Sequence, residues 1–187
     1  MALQILVIFA HPAIRRSRVN RALVRAARGL EGVTVHDLYE TYPDFSIDVP
    51  REQALLSGHD VIVFQHPFYW YSAPSILKEW MDLVLEYGFA YGEDGRALAG
   101  KGWMNAISTG GQETQYGPDT PNLFFVEDLL RPFEATANLC RMHWISPFLV
   151  QGTHGLTEGE IAAAAQSYRA RLLTLAAEVA PIPRRSA

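Results

Sequence analysis

Residues 60–80 read DVIVFQHPFYWYSAPSILKEW. The opening run, Asp60–Gln65, is β-branched and nearly all apolar, which suits a strand covered on both faces. The chain leaves it through Pro67, passes four rings in succession (Phe68, Tyr69, Trp70, Tyr71) and meets Pro74. From Pro74 to Leu85 the spacing is that of an amphipathic helix, with proline in the first turn, where a missing N–H does no harm. A buried strand followed by a loop and a helix is the repeating unit of a parallel sheet. Rings left on such a loop are costly to expose, so something flat is expected to lie on them.

The same unit recurs along the chain. Leu3–Phe9 is a second doubly buried strand, and Ser17–Gly29 is a helix with apolar residues at Val19, Leu23, Val24 and Ala27, Ser17 as N-cap and Gly29 as its stop. Val33–Asp37 alternates as a strand, Tyr39–Pro50 reads as a loop carrying Tyr42 and Phe45, and Pro50–Ser57 as a short helix. The Gly-rich stretch Glu86–Lys101 reads as an excursion in the form of a hairpin. Trp103–Ser108 is the fourth strand and Met142–Val150 the fifth, interrupted by Pro147. Leu123–Leu139 is helical with a break near Arg131, where Pro132 follows. Glu158–Val179 is a long helix behind a Thr157/Glu160 capping box. Alternating strands and helices predict an α/β three-layer sandwich with five parallel strands in the order 2-1-3-4-5. In that order ligands bind beyond the carboxyl ends of the strands, near the first and third.

Bulk properties narrow the function. A chain of 187 residues favours one domain, spanning 1–187, with the Pro-broken tail 180–187 frayed. Hydrophobic content of 49% provides a core, and a formal charge of −4 argues against nucleic acid as a partner. Cys140 is the single cysteine, so neither an internal disulfide nor a Cys-based zinc site can form; no metal is expected, and Cys140 itself reads as packing. The N-terminus lacks the basic start and cleavage site of a signal peptide, and no apolar run approaches the roughly 20 residues of a membrane span. A soluble, cytoplasmic protein is expected.

Three post-strand loops should meet at one edge. The first, AHPAIRRSRVN (residues 10–20), runs into a helix start, where free N–H groups and the helix dipole favour an anion. His11, Arg15, Arg16, Ser17, Arg18 and Asn20 add donors. The second carries the rings. The third, Thr109-Gly110-Gly111, lets a ligand approach the backbone closely, with Tyr116 a few residues on. Each has a plainer reading: a solvated basic helix start, rings packed under a neighbour or at a dimer interface, a Gly-Gly turn. His143 reads as a core histidine, and His154 as an exposed residue at the functional edge. Taken together the loops describe an anion site, a ring platform and a close-approach backbone, the shape of a bound flavin nucleotide.

On VIFAHP…S.VN, HPFYWYSAPSILKEWMD and STGG….Y the chain resembles the NAD(P)H:quinone oxidoreductases of flavodoxin-like fold. This group includes DT-diaphorase-like enzymes and the ancillary oxidoreductases of bacterial glutathione-gated potassium-efflux systems, and the likeness is best to its short-chain bacterial branch. The likeness runs from about Leu3 to Val150. It implies a non-covalent flavin, FMN or FAD, with NADPH or NADH as donor and ping-pong hydride transfer to a quinone-like acceptor. It also implies a homodimer and leaves room for a membrane-transporter partner, the alternative being a regulatory subunit with secondary redox activity. By the same resemblance His11, Ser17, Val19 and Asn20 hold the flavin phosphate, and Arg18, one of the donors of that loop, is expected to join them in the cofactor site. Pro67, Phe68, Tyr69, Trp70 and Tyr71 line the ring. Thr109, Gly110 and Gly111 meet its pyrimidine edge, with the catalytic Tyr116 beside it. His154, from its own place after the fifth strand at this edge and not from the resemblance, is expected to reach the substrate. One departure stands out: GPDTPN follows Tyr116 without the histidine that DT-diaphorase-like enzymes carry there, leaving Asp119, His143 or His154 as replacements.

Overall fold

The structure, a computed structural model, describes residues 3–175 and Val179. Side chains alternate across a strand, so one strand feeds two cores. On β1 (Ile5–Phe9) every residue is buried: Leu6 and Ile8 enter one apolar cluster, Ile5 and Val7 the other. β3 (Val61–Pro67) does the same, sending Ile62 and Phe64 one way and Val61 and Val63 the other. With β2 (Val33–Asp37), β4 (Gly102–Ser108) and β5 (His143–Val150) they form a five-stranded parallel sheet in the order β2-β1-β3-β4-β5, as expected.

Helices cover both faces. α1 (Arg18–Ala27) and α7 (Glu158–Thr174) pack on the side of Val7 and Val63. α2 (Leu38–Thr41), α3 (Val49–Ser57), α4 (Ser75–Val84), α5 (Val126–Leu129) and α6 (Arg131–Leu139) cover the side of Ile8 and Phe64.

Several elements differ from expectation. The stretch read as a loop after β2 opens with one helical turn, α2, because the Asp37 carboxylate accepts from the N–H groups of Tyr39 and Glu40. Pro147 does not interrupt β5. Met104 pairs with Ile145 and Ala106 with Phe148, so Pro147 sits in a bulge of an edge strand, where its missing N–H costs nothing. No strand pair forms between Glu86 and Lys101; that stretch turns instead around a Tyr87–Tyr91 bridge, and Arg141 donates to the carbonyls of Gly92 and Gly95. The reading of 180–187 as a frayed tail lies outside the described residues, as does part of the last predicted helix.

The region after β2 is tied to the sheet by a buried carboxylate. Glu52 of α3, fully buried, accepts from Tyr42 Oη at 2.6 Å and from Trp80 Nε1 at 2.8 Å, and lies 2.9 Å from His36 Nε2. Burial opposes its charge, but these partners prevail and hold its pKa below the usual glutamate value. A carboxylate with a depressed native pKa stabilises fully above its unfolded pKa and loses that contribution as pH falls through the native value. Glu52→Gln is therefore expected to cost about 3 kcal/mol near neutral pH and to flatten the acid limb of stability below the ordinary glutamate range, as read by urea midpoints across pH.

Candidate functional site

The carboxyl ends of β1, β3 and β4 place three loops side by side, and two adjoining clefts open there. The first, of about 650 Å³, is lined by residues that include His11, Arg16, Ser17, Asn20, Pro67, Tyr69, Ser108 and His154. The second, of about 470 Å³, is lined by Trp70, Tyr71, Gly111, Gln115, Tyr116 and Asn122. Phe68 and Gly110 border both and join them.

The first cleft is built on the start of α1. Ser17 caps the helix, its Oγ accepting from the Asn20 N–H at 3.1 Å. The main-chain N–H groups of Arg18 and Val19 have no acceptor within the helix and, with the helix dipole, favour an anion. Val19 itself is buried in the core. His11 is nearly buried, and its Nδ1 accepts from the Ala13 N–H at 3.0 Å. Burial lowers its pKa, so the neutral ring carries its proton on Nε2, a donor for the cleft. Arg18 borders this cleft, but its guanidinium is engaged elsewhere: it donates twice to Glu158 Oε1, at 2.6 and 3.0 Å, and once to the Leu156 carbonyl. The side chain of Arg18 thus clasps the start of α7, against its expected role on a phosphate.

A small polar ladder floors this cleft. Asn20 Nδ2 donates to Ser108 Oγ at 2.7 Å, and Gln65 Nε2 donates to the Asn20 carbonyl at 3.3 Å. Asn20 Oδ1 is buried with no partner among the described residues. A buried acceptor of this kind calls for a donor from a ligand or water. Ser108, the first residue of STGG and the last of its strand, carried no assigned role in the sequence reading.

The second cleft owes its shape to strain. Trp70 and Tyr71 have φ of 50° and 61°, the left-handed region that bulky residues avoid. Tyr69 and Ser72 close the turn with reciprocal backbone hydrogen bonds of 3.1 and 3.0 Å. This tight turn throws the rings outward, and Trp70 is 92% exposed. Tyr71 Oη donates to Asn122 Oδ1 at 2.8 Å, tying the turn to the loop that follows β4. Each left-handed non-glycine residue costs about 1–3 kcal/mol and persists where its surroundings hold it.

The two glycines after β4 leave room for neighbouring side chains. A Cβ on Gly110 would stand 2.9 Å from His154 Nε2, and one on Gly111 3.0 Å from Tyr116 Cε2. Both side chains can lie against the backbone only because these positions are bare. Thr109 borders neither cleft; it is buried, and its Oγ1 donates to the Gly111 carbonyl at 2.7 Å, holding the Gly-Gly turn. The loop after β5 is laced to the same turn, with Gly152 N–H on the Gly111 carbonyl and Thr153 N–H on that of Thr109. That lacing brings His154 to the first cleft.

Of the three candidates to replace the missing histidine, only His154 borders a cleft. Asp119 is exposed outside both. His143, expected in the core, is exposed and pairs with Gly102 at the opposite end of the sheet.

The family model for the flavodoxin-like fold matches residues 4–172. The glutathione-regulated potassium-efflux system ancillary protein KefG of Shigella flexneri serotype 5b is 52% identical over 165 residues, covering 88% of this chain and 90% of its own length. A solved structure described as a thermophilic tryptophan halogenase of Streptomycin violaceusniger is 43% identical, with TM-score 0.88 over 90% of this chain and 98% of its own. The general stress protein 14 of Treponema denticola, in complex with FMN, is 40% identical, with TM-score 0.89 over 92% of this chain and 99% of its own. An NADPH-quinone reductase from P. pentosaceus is 33% identical, with TM-score 0.82 over 90% and 97%.

Ser17→Ala removes the cap of α1 and is expected to lower the unfolding free energy by about 1 kcal/mol. Arg18→Ala breaks only a partly exposed clasp and is expected to cost about 0.5 kcal/mol. Urea titration of the two variants checks the order.

Proposed function

This chain belongs to the flavodoxin-like fold family, and we propose that it is a flavin-dependent oxidoreductase that reduces quinones or similar flat acceptors with NADPH or NADH. The observation that carries this reading is the junction of an anion-favouring helix start and a ring-lined slot through Phe68 and Gly110. The NADPH-quinone reductase among its structural neighbours supports it.

The residues present fit a flavin nucleotide. The free N–H groups at the start of α1, the Ser17 hydroxyl and the neutral His11 Nε2–H suit a phosphate. The unpartnered Asn20 Oδ1 repels an anion and suits a hydroxyl donor, such as those of a sugar-alcohol chain. The bare backbone of Gly110 and Gly111 suits the edge of a flat ring. Such a group, when bound, supplies two-electron transfer between a nicotinamide donor and an organic acceptor. FMN is favoured over FAD. The Treponema denticola neighbour is in complex with FMN, and Arg18, a cation that a second phosphate could use, is held by Glu158.

The protein's own contribution is orientation and electrostatics. Phe68, Trp70 and Tyr71 give the ring a wall. The N–H groups of the Gly110-Gly111 turn and the Tyr116 hydroxyl stabilise negative charge at the ring edge. Tyr116 presents its hydroxyl there without a neighbouring histidine in its own loop, and His154, across Gly110, lines the anion-favouring cleft.

Trp70, Leu123, Phe124 and Phe125 are all at least half exposed and lie on the turn and loop that flank the slot. In this reading a second copy of the chain covers them, making a homodimer with the slot at its interface. A second role is favoured by the KefG relative: the protein also serves a potassium-efflux transporter as an ancillary subunit. Co-purification with the transporter, with and without bound flavin, separates the two roles.

The purified protein is expected to be yellow or to take up FMN at micromolar concentration, and to reduce a quinone at the expense of NADPH or NADH. A protein that stays colourless under those conditions overturns the reading. Tyr116→Phe is expected to slow turnover about tenfold, by the loss of one hydrogen bond; stopped-flow reduction kinetics measure it. Analytical ultracentrifugation is expected to give a dimer mass that Phe124→Glu shifts to the monomer.

A further inference from the structure

Beneath the aromatic turn lies a chain of polar side chains that borders neither cleft. Trp103 Nε1 donates to Asn105 Oδ1 at 2.7 Å. Asn105 Nδ2 stands 3.3 Å from His66 Nε2, and His66 Nδ1 stands 3.0 Å from the Pro67 carbonyl oxygen. Trp103, Asn105 and His66 are each fully buried, and the Phe133 ring lies 5.7 Å from the imidazole at a 35° tilt.

The direction of every bond follows from the first. An indole N–H can only donate, so the oxygen of Asn105 must face Trp103. Its amide nitrogen therefore faces His66, whose Nε2 must accept. The neutral imidazole, kept neutral by burial with a pKa lowered to about 4, then carries its proton on Nδ1 and donates it to the Pro67 carbonyl.

That carbonyl belongs to the peptide from which the aromatic turn springs. Its partner N–H, that of Phe68, donates to the Ser108 carbonyl at 2.8 Å. The C=O and N–H of a trans peptide point in opposite directions on one rigid plane. This plane is thus held from both sides, and turning it would break both bonds. The same carbonyl also accepts from the Tyr69 N–H, the first residue of the strained turn.

We propose that His66 is a positioning residue: its Nδ1–H orients the Pro67–Phe68 peptide and so sets the turn that brings Phe68, Trp70 and Tyr71 to the ring slot. Core stability alone does not call for this arrangement. Burying an imidazole and an amide among apolar side chains is at best neutral against apolar residues of the same volume, whereas a directional chain defines an orientation that packing leaves loose. The role of the turn rests on the flavin reading above; the orientation of the peptide does not.

The test uses the full chain and two substitutions that separate the two ends of the imidazole. The side-chain nitrogen of asparagine falls near the position of Nδ1, whereas the side-chain oxygen of glutamine, turned toward Asn105, falls near Nε2 and can accept from the Asn105 amide. His66→Asn can keep the donor to Pro67, while His66→Gln keeps only the link to Asn105. Amide hydrogen exchange at Phe68 is expected to stay slow in His66→Asn and to speed up about tenfold or more in His66→Gln, the equivalent of one lost hydrogen bond. Affinity for FMN, measured by quenching of flavin fluorescence, is expected to fall about tenfold in the glutamine variant alone. Nitrogen-15 spectra of the unsubstituted protein without flavin are expected to show the Nδ1–H tautomer at His66. An Nε2–H tautomer overturns the proposal. So do two variants alike in Phe68 exchange, or an FMN affinity that simply tracks their thermal stability. Failure of the unsubstituted protein to bind FMN overturns the flavin reading and leaves the exchange and tautomer results to decide the role of His66.

Discussion

A parallel strand buried on both faces cannot turn back on its neighbour; a helix must carry the chain across the sheet before the next strand begins. The whole arrangement depends on that constraint. β1, β3 and β4 are buried along their full lengths, so each leaves the sheet at the same edge with a loop exposed to solvent. The helices that follow start at that edge, with their unbonded N–H groups facing outward. In the flavin reading, a site for an anion joined to a flat ring follows from the adjacency of three such loops.

Within the frame the loops differ in how they hold their shape. The first relies on a cap, Ser17 on Asn20, and on the neutral His11. The third relies on bare glycines and on Thr109 underneath. The second stores strain at Trp70 and Tyr71 and is held from below by the His66 chain and from the side by the Tyr71–Asn122 bond. Strain of this kind is tolerated where neighbouring contacts over-determine the backbone, and here those contacts come from β4 and from the loop that follows it.

Much of this was legible beforehand. The doubly apolar runs Leu3–Phe9 and Asp60–Gln65 allowed one sheet type, and Ser17, Pro74 and the Thr157/Glu160 pair marked helix starts that the structure reproduces within a residue. Misreadings came where a local signal was outweighed. Pro147 looked like a break, but an edge strand absorbs it in a bulge. His143 looked buried, but it lies at the outer rim of that same edge. At Arg18 the local pattern could not separate the main-chain N–H, which stands at the helix start, from the guanidinium, which a carboxylate 140 residues away holds.

By itself the amino-acid order determined the strands, the helices and the edge at which the functional loops emerge, because hydrophobic periodicity and capping act over a few residues. Only the tertiary structure decided which donors remain free at that edge. Partners such as Glu158 for Arg18, Ser108 for Asn20 and Asn105 for His66 lie 39 to 140 residues away in the chain, and a hydrogen bond depends on distance and direction in space that no local pattern encodes.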